Sequence, residues 1–195
     1  MKFSLTILFT IVGFLVNAQE QKLVYDLSVA DNSIGTLTTT KTQNANATVY
    51  TTTSDVTVHI FGETKITTAL NVTYLNNVLQ SSNYKIEKNG MPNDESTTTL
   101  KNSVYTITHN GKTSEINIPI TYSTINLYFE EPKNIEKVFA ELEGITKNIT
   151  NIGASDYQLT DPGNHHTNKY SYDKVKLKEA VISHELFNFK LSLKE

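Results

Sequence analysis

ITTALNVTY, residues 66–74, places Ile66, Thr68, Leu70, Val72 and Tyr74 on one parity. Successive side chains of a strand point to opposite faces, so this run predicts a half-buried β-strand with one face inward. The same pattern extends on both sides. Upstream, Tyr50, Val56, Val58 and Ile60 share a face, with Thr52 and Ser54 between them. Downstream, Asn76-Asn77 predicts a short hairpin turn, and Val78, Ser82, Tyr84 and Ile86 continue. Asn89-Gly90 and Asn110-Gly111 are the dipeptides that tolerate positive φ at both turn positions.

Working outward, Leu23, Tyr25, Leu27 and Val29 predict the first strand, and Ile34 to Thr42 the return. Thr97 to Leu100, Val104 to His109 and Lys112 to Ile118 are three further short runs. Later candidates are Ile145 to Ile152, Tyr157 to Thr160, and the tail in which Val175, Leu177, Val181, Phe187, Phe189, Leu191 and Leu193 share a parity. Threonine dominates the outer positions, where its branched Cβ suits the pleat and its hydroxyl tolerates water. The expected fold is mainly β: one antiparallel meander forming a barrel or half-barrel, with an apolar inner face that needs a cover.

One stretch departs from the alternation. Residues 120–139, ITYSTINLYFEEPKNIEKVF, cluster Ile125, Leu127, Tyr128 and Phe129 ahead of Glu130, Glu131 and Pro132. Ser123 can cap a helical turn that Pro132 ends. Ile135, Val138, Phe139 and Leu142 then recur at helical spacing before Gly144, although Lys137 to Leu142 also reads as an extended strand. One or two short helices around residues 122–143 are therefore expected to act as plug or lid, with Ile125, Leu127, Tyr128, Phe129, Val138 and Phe139 as its apolar side chains. Helix or strand at 133–143 stays open at this stage.

The first eighteen residues have a positive start at Lys2, an apolar run from Phe3 to Val16, and small or medium residues in Val16-Asn17-Ala18. They predict a signal peptide cleaved near Ala18, delivery to the periplasm or beyond, and a single β-rich domain over 19–195. The apolar run is short beside the ~20 residues of a membrane-spanning helix. Cysteine is absent, which excludes disulfides and thiolate zinc sites. The formal charge is −3 and the basic side chains are all lysine, which argues against nucleic acid as a partner. An outer-membrane barrel fits poorly, because the second face of the strands is Thr, Lys and Asn rather than a lipid-facing band.

The stretches Ile34-Gly35-Thr36-Leu37, Asn76-Asn77-Val78-Leu79, Ile120-Thr121-Tyr122-Ser123, Lys137-Val138-Phe139, Asp161-Pro162-Gly163-Asn164 and above all LYFEEP, residues 127–132, carry a resemblance. Together they resemble a family of uncharacterised secreted β-rich proteins typical of flavobacteria and their relatives, over nearly the whole mature chain. The resemblance implies an exported β-rich protein and brings no activity, ligand or catalytic residue. His165-His166 in the turn, and Ala140 where a serine is expected, depart from its pattern.

No catalytic, cofactor or metal residue is assigned, and the chain is not expected to be an enzyme. His165 and His166, with Asp161 nearby, lack the spacing of a helical metal pair. His59, His109 and His184 are scattered. Glu130 and Glu131 are adjacent and so point apart, unlike a pair flanking one bond. Three Asn-x-Thr sequons, at Asn46, Asn71 and Asn148, are ascribed to chance in an Asn- and Thr-rich chain. Tyr25, Tyr50, Phe61, Tyr74 and Tyr84 fall on inward parities and are the candidate lining of a cavity for an apolar small molecule or lipid. The alternative is a solid-cored structural or interaction module of the cell envelope with a protein partner. Oligomeric state is not legible in the residues.

Overall fold

Fourteen strands appear among the described residues, which in this computed structural model are 19–59, 62–183 and 188–194. The expected leader, residues 1–18, lies outside them, as do Phe61, His184 and Phe187. The strands are β1 (Gln19–Val29), β2 (Asn32–Asn44), β3 (Ala47–His59), β4 (Glu63–Leu75), β5 (Val78–Lys88), β6 (Met91–Lys101), β7 (Val104–His109), β8 (Lys112–Ile116), β9 (Lys137–Ala140), β10 (Ile145–Asn151), β11 (Asp156–Thr160), β12 (Thr167–Asp173), β13 (Lys176–Ser183) and β14 (Asn188–Leu193). All pair antiparallel in one sheet of order 8-7-6-5-4-3-2-1-14-13-12-11-10-9.

That order is a meander in which the first and last strands meet in the middle, Tyr25 opposite Leu193 and Leu27 opposite Leu191. The free edges are β8 and β9, which are successive in the chain. The sheet is therefore an unclosed barrel whose seam is spanned by the segment joining those two strands. Its inward side chains form one core, from Leu23 and Tyr25 on β1 round to Tyr170, Tyr172 and Leu191. At the seam Gly144, at φ +66°, lies so close under β7 that a Cβ there would sit 2.4 Å from Ile107 Cγ2.

Local chemistry accounts for the hairpins. Both central residues have positive φ at Asn76-Asn77, Asn89-Gly90 and Asn110-Gly111, and also at Ala30-Asp31 and Asn102-Ser103. Two-residue turns of this hand match the twist of the strands they join. Asn76, Asn89, Asn102 and Asn110 take the first turn position, where a short polar side chain tolerates the left-handed conformation. On β3 the inward set Tyr50, Thr52, Val56 and Val58 is buried, and its partners Val72, Leu70, Ile66 and Thr64 follow the register.

The expected helices are the main correction. Residues 124–128 form a single 3₁₀ turn, and the helical reading of Ile135, Val138, Phe139 and Leu142 gives way to strand β9. The reason is the unpaired edge of β10. Lys137 to Ala140 satisfies four backbone positions there, with Ala140 opposite Ile145 and Phe139 opposite Thr146. Val138, Phe139 and Ala140 are all buried although neighbours in a strand face opposite ways, so both faces of this edge are covered.

One close approach gives a direct test. Gly35 sits where β2 skips a residue against β1, and a Cβ there would lie 2.1 Å from the Asp55 carbonyl oxygen and 2.8 Å from Val56 Cα. Both neighbours are backbone and cannot rotate away. Gly35→Ala is expected to lower the unfolding free energy by ~1–3 kcal/mol, the usual cost of overpacking. Urea denaturation of the two proteins side by side measures it.

Candidate functional site

The inward positions along each strand divide the lumen into two halves. Toward one end, the segment between β8 and β9 fills the interior. Ile125, Leu127, Phe129, Val138 and Phe139 are each 5% exposed or less. Its backbone is stitched to both flanks: Leu79 N–H on β5 donates to the Ile120 carbonyl at 2.9 Å, and Phe139 N–H on β9 donates to the Tyr122 carbonyl at 3.1 Å. A plug of irregular backbone inside a barrel needs partners for its polar groups, and tyrosines supply them. Tyr172 OH donates to the Leu127 carbonyl at 2.9 Å, and Tyr122 OH to the Glu130 carbonyl at 3.1 Å. Tyr105 OH accepts from Ile120 N–H at 3.2 Å while donating to the Leu79 carbonyl at 3.0 Å. Tyr157 OH donates to Glu131 at 3.0 Å, and Lys133 pairs with the other oxygen of that carboxylate.

The centre of the plug is a buried polar network. Glu141, fully buried, accepts from the Thr124 and Ile125 N–H groups, both at 3.1 Å, and from the Ser123 and Thr124 hydroxyls. It thereby caps the orphan donors that open the 3₁₀ turn. Tyr74 OH donates to Ser123 Oγ at 2.7 Å and lies 3.0 Å from Asn126 Oδ1, and Asn126 Nδ2 donates to Tyr50 OH at 3.2 Å. Burial pushes the Glu141 carboxyl above its ordinary value against the opposing pull of these donors, and pushes the Tyr74 phenol up as well.

The other half of the lumen holds a cavity of about 530 Å³. Beside it lies an inner chamber of about 220 Å³ that ends on the plug at Thr124, Leu127 and Tyr128. Leu37, Tyr84, Tyr128, Leu159 and Leu191 line both chambers, so the two adjoin. The outer walls are Leu27, Val56 and Ile66, and the exposed side chains Lys88, Asn93, Asn164 and His166 stand at the mouth. This volume falls in the range of small-molecule pockets, ~300–1,000 Å³, and its lining mixes apolar side chains with polar and charged ones.

One wall is charged. Lys147 on β10 points inward, 2.7 Å from Glu143 and 3.3 Å from Asp161, and all three line the cavity. Asp161 also accepts from Gly163 N–H at 2.8 Å and Asn164 N–H at 3.2 Å. Burial alone would raise its carboxyl, but those two donors and Lys147 outweigh it and hold it below the usual carboxylate range.

The residues assigned from sequence are thus dispersed. Tyr84 lines both chambers, and burial pushes its phenol above the ordinary value. Tyr50 and Tyr74 bind the plug, and Tyr25 is fully buried with its hydroxyl donating to the Leu177 carbonyl at 3.0 Å. Phe61 lies outside the described residues. Among the lid residues, Tyr128 faces the cavity and Leu127 the inner chamber, while Ile125, Phe129, Val138 and Phe139 belong to the core. His165, at φ +61°, and His166 shape the turn between β11 and β12, with His165 N–H donating to the Asp161 carbonyl. Lys147 and Glu143 were missed, and Asp161 was weighed only beside the two histidines. Their signal is a lysine at an inward parity between Ile145 and Ile149.

Comparison with known proteins agrees with an uncharacterised family. The model of a domain of unknown function, DUF6134, matches residues 25–194. No curated protein matches the chain. Among solved structures, the fold is similar to that of a β-barrel-like protein of another domain of unknown function, DUF1849, from Brucella abortus. The TM-score is 0.62 at 9% identity, covering 92% of this chain and 98% of that one, a likeness of fold alone.

Proposed function

The chain belongs to the DUF6134 family, and we propose that it is an exported protein that takes an apolar small molecule or lipid chain into the half of the lumen that the plug leaves open. Export rests on the charge and apolar pattern of residues 1–18. Among the described residues no helix is long and apolar enough to cross a membrane. Binding rests on one observation, the cavity of about 530 Å³ with leucine, valine and isoleucine on its walls, one charged wall and a polar mouth. A barrel whose only task was to be solid would need a plug at both ends; here one end has it.

The test uses the mature chain. N-phenyl-1-naphthylamine, an apolar dye that brightens out of water, is expected to bind with saturable fluorescence. Ile66→Trp, which adds a ring to the outer wall, is expected to weaken that binding at least fivefold with unchanged circular dichroism. Native mass spectrometry of protein purified from its own host is expected to show a retained small molecule. No dye binding, together with a protein partner recovered by cross-linking, would favour an envelope interaction module instead.

A further inference from the structure

The charged wall of the lumen points to the class of guest, and we infer that it is a single-chain amphiphile with an uncharged, hydroxyl-bearing head, such as a glycerol monoester, rather than a fatty acid. This rests on the reading of the lumen as a binding site. The wall is not explained by stability. Lys147 and Asp161 are only 10% and 11% exposed at their side chains, and a buried ion pair does no better than well-packed apolar residues of similar volume. It does supply polar chemistry at the junction of the two chambers, since Lys147 and Glu143 line both.

The donor and acceptor inventory sets the preference. An ammonium has three N–H groups, and two are directed at Glu143 and Asp161. The third is left for an oxygen of the guest. Glu143 lines the cavity and binds Lys147 through Oε1, and its side chain is 42% exposed, which leaves its second oxygen as an acceptor. A hydroxyl satisfies both at once, accepting from Lys147 and donating to Glu143. A carboxylate head can only accept, and it meets two carboxylates around one ammonium. The remaining charges at the mouth do not reverse this: Asp94 is engaged by His109 at 2.8 Å and Asn110 at 2.7 Å, and Lys88 is exposed, where water and salt screen its charge.

Displacement of N-phenyl-1-naphthylamine from the mature chain at pH 8 tests it, with glycerol monododecanoate and dodecanoate as competitors of equal chain length. The monoester is expected to displace the dye at a concentration at least tenfold lower. An apolar chamber alone also penalises a carboxylate, so the deciding readout is Glu143→Gln. This variant is expected to narrow the gap at least threefold by improving dodecanoate. Lys147→Met, read in the same way, is expected to weaken the monoester and widen the gap for dodecanoate. Equal or tighter binding of dodecanoate by the parent protein, or a gap unmoved in both variants with unaltered melting, overturns the inference and leaves the binding reading standing. A parent protein that does not bind the dye removes both.

Discussion

Replacing Glu141 with alanine is expected to lower the unfolding free energy by ~2–6 kcal/mol, a large share of the ~5–15 kcal/mol that holds a domain together. The two hydroxyl donors can turn elsewhere; Ser123 Oγ already lies 3.4 Å from Asn126 Oδ1. The Thr124 and Ile125 N–H groups cannot turn, and each buried donor left unpaired costs ~1–3 kcal/mol. Glutamine is a milder lesion of the same kind. It keeps one acceptor, but its NH₂ must face one of those two backbone donors, so a loss of ~1–3 kcal/mol is expected. The pH dependence gives a second signature. Burial raises the Glu141 carboxyl in the folded chain, so the native state holds that proton more tightly than the unfolded one. Its contribution to stability is complete below the unfolded value of ~4.3 and is lost as pH rises through the raised folded value. The difference between the parent and Glu141→Gln is thus expected to be widest in acid and to narrow as pH climbs. Chemical denaturation at a series of pH values measures both effects; a difference that widens with pH would contradict the assignment.

How far this network could be read from the sequence depends on what each residue type can disclose. Strand parity was legible wherever no register shift intervened, as in β3 and β4, where Tyr50 to Val58 and Ile66 to Tyr74 face inward as the alternation requires. The asparagine turns were legible because positive φ at consecutive positions selects their chemistry. Register shifts broke the pattern elsewhere. Opposite Thr73 and Tyr74 the pairing skips Gln80, so Leu79 rather than Val78 turns inward. In β13 it skips Lys178, so Ala180 and Ile182 take the inner face that alternation gives to Val181. A shift of this kind leaves no apolar signature, because it is a property of two strands and not of one. The tyrosines divide between plug and cavity for a different reason. A phenol is both an apolar body and a hydrogen-bonding tip, and its use at the plug or at the cavity depends on distance along the lumen. That distance is fixed by the pairing of β1 with β14, a contact between the first and last strands of the sheet in chain order.

The double variant Ile125→Ala, Leu127→Ala is expected to be the most damaging change, yielding chain that accumulates in insoluble form. Both side chains are 1% exposed or less. Truncating a buried leucine or isoleucine to alanine costs ~2–5 kcal/mol, part of it for the cavity left behind. The two lie on one 3₁₀ turn, so their losses couple rather than simply add, but either end of the range is severe for a domain of ordinary stability. The consequence goes beyond lost burial. The plug runs from β8 to β9 across the open seam and is held to β5 and β9 by the Leu79–Ile120 and Phe139–Tyr122 backbone bonds. Once it loosens, both edges of a fourteen-stranded sheet present unpaired N–H and C=O groups, the usual template for edge-to-edge association. Ile66→Ala provides the contrast. It removes a half-buried side chain from the cavity wall without touching the plug, and its cost is expected to fall well below that of either single truncation. Soluble yield, melting temperature and light scattering on heating separate the cases. A double variant that stays soluble and unfolds cooperatively within about 1 kcal/mol of the parent, less than one such truncation should cost, would mean that the strands hold the barrel without their plug.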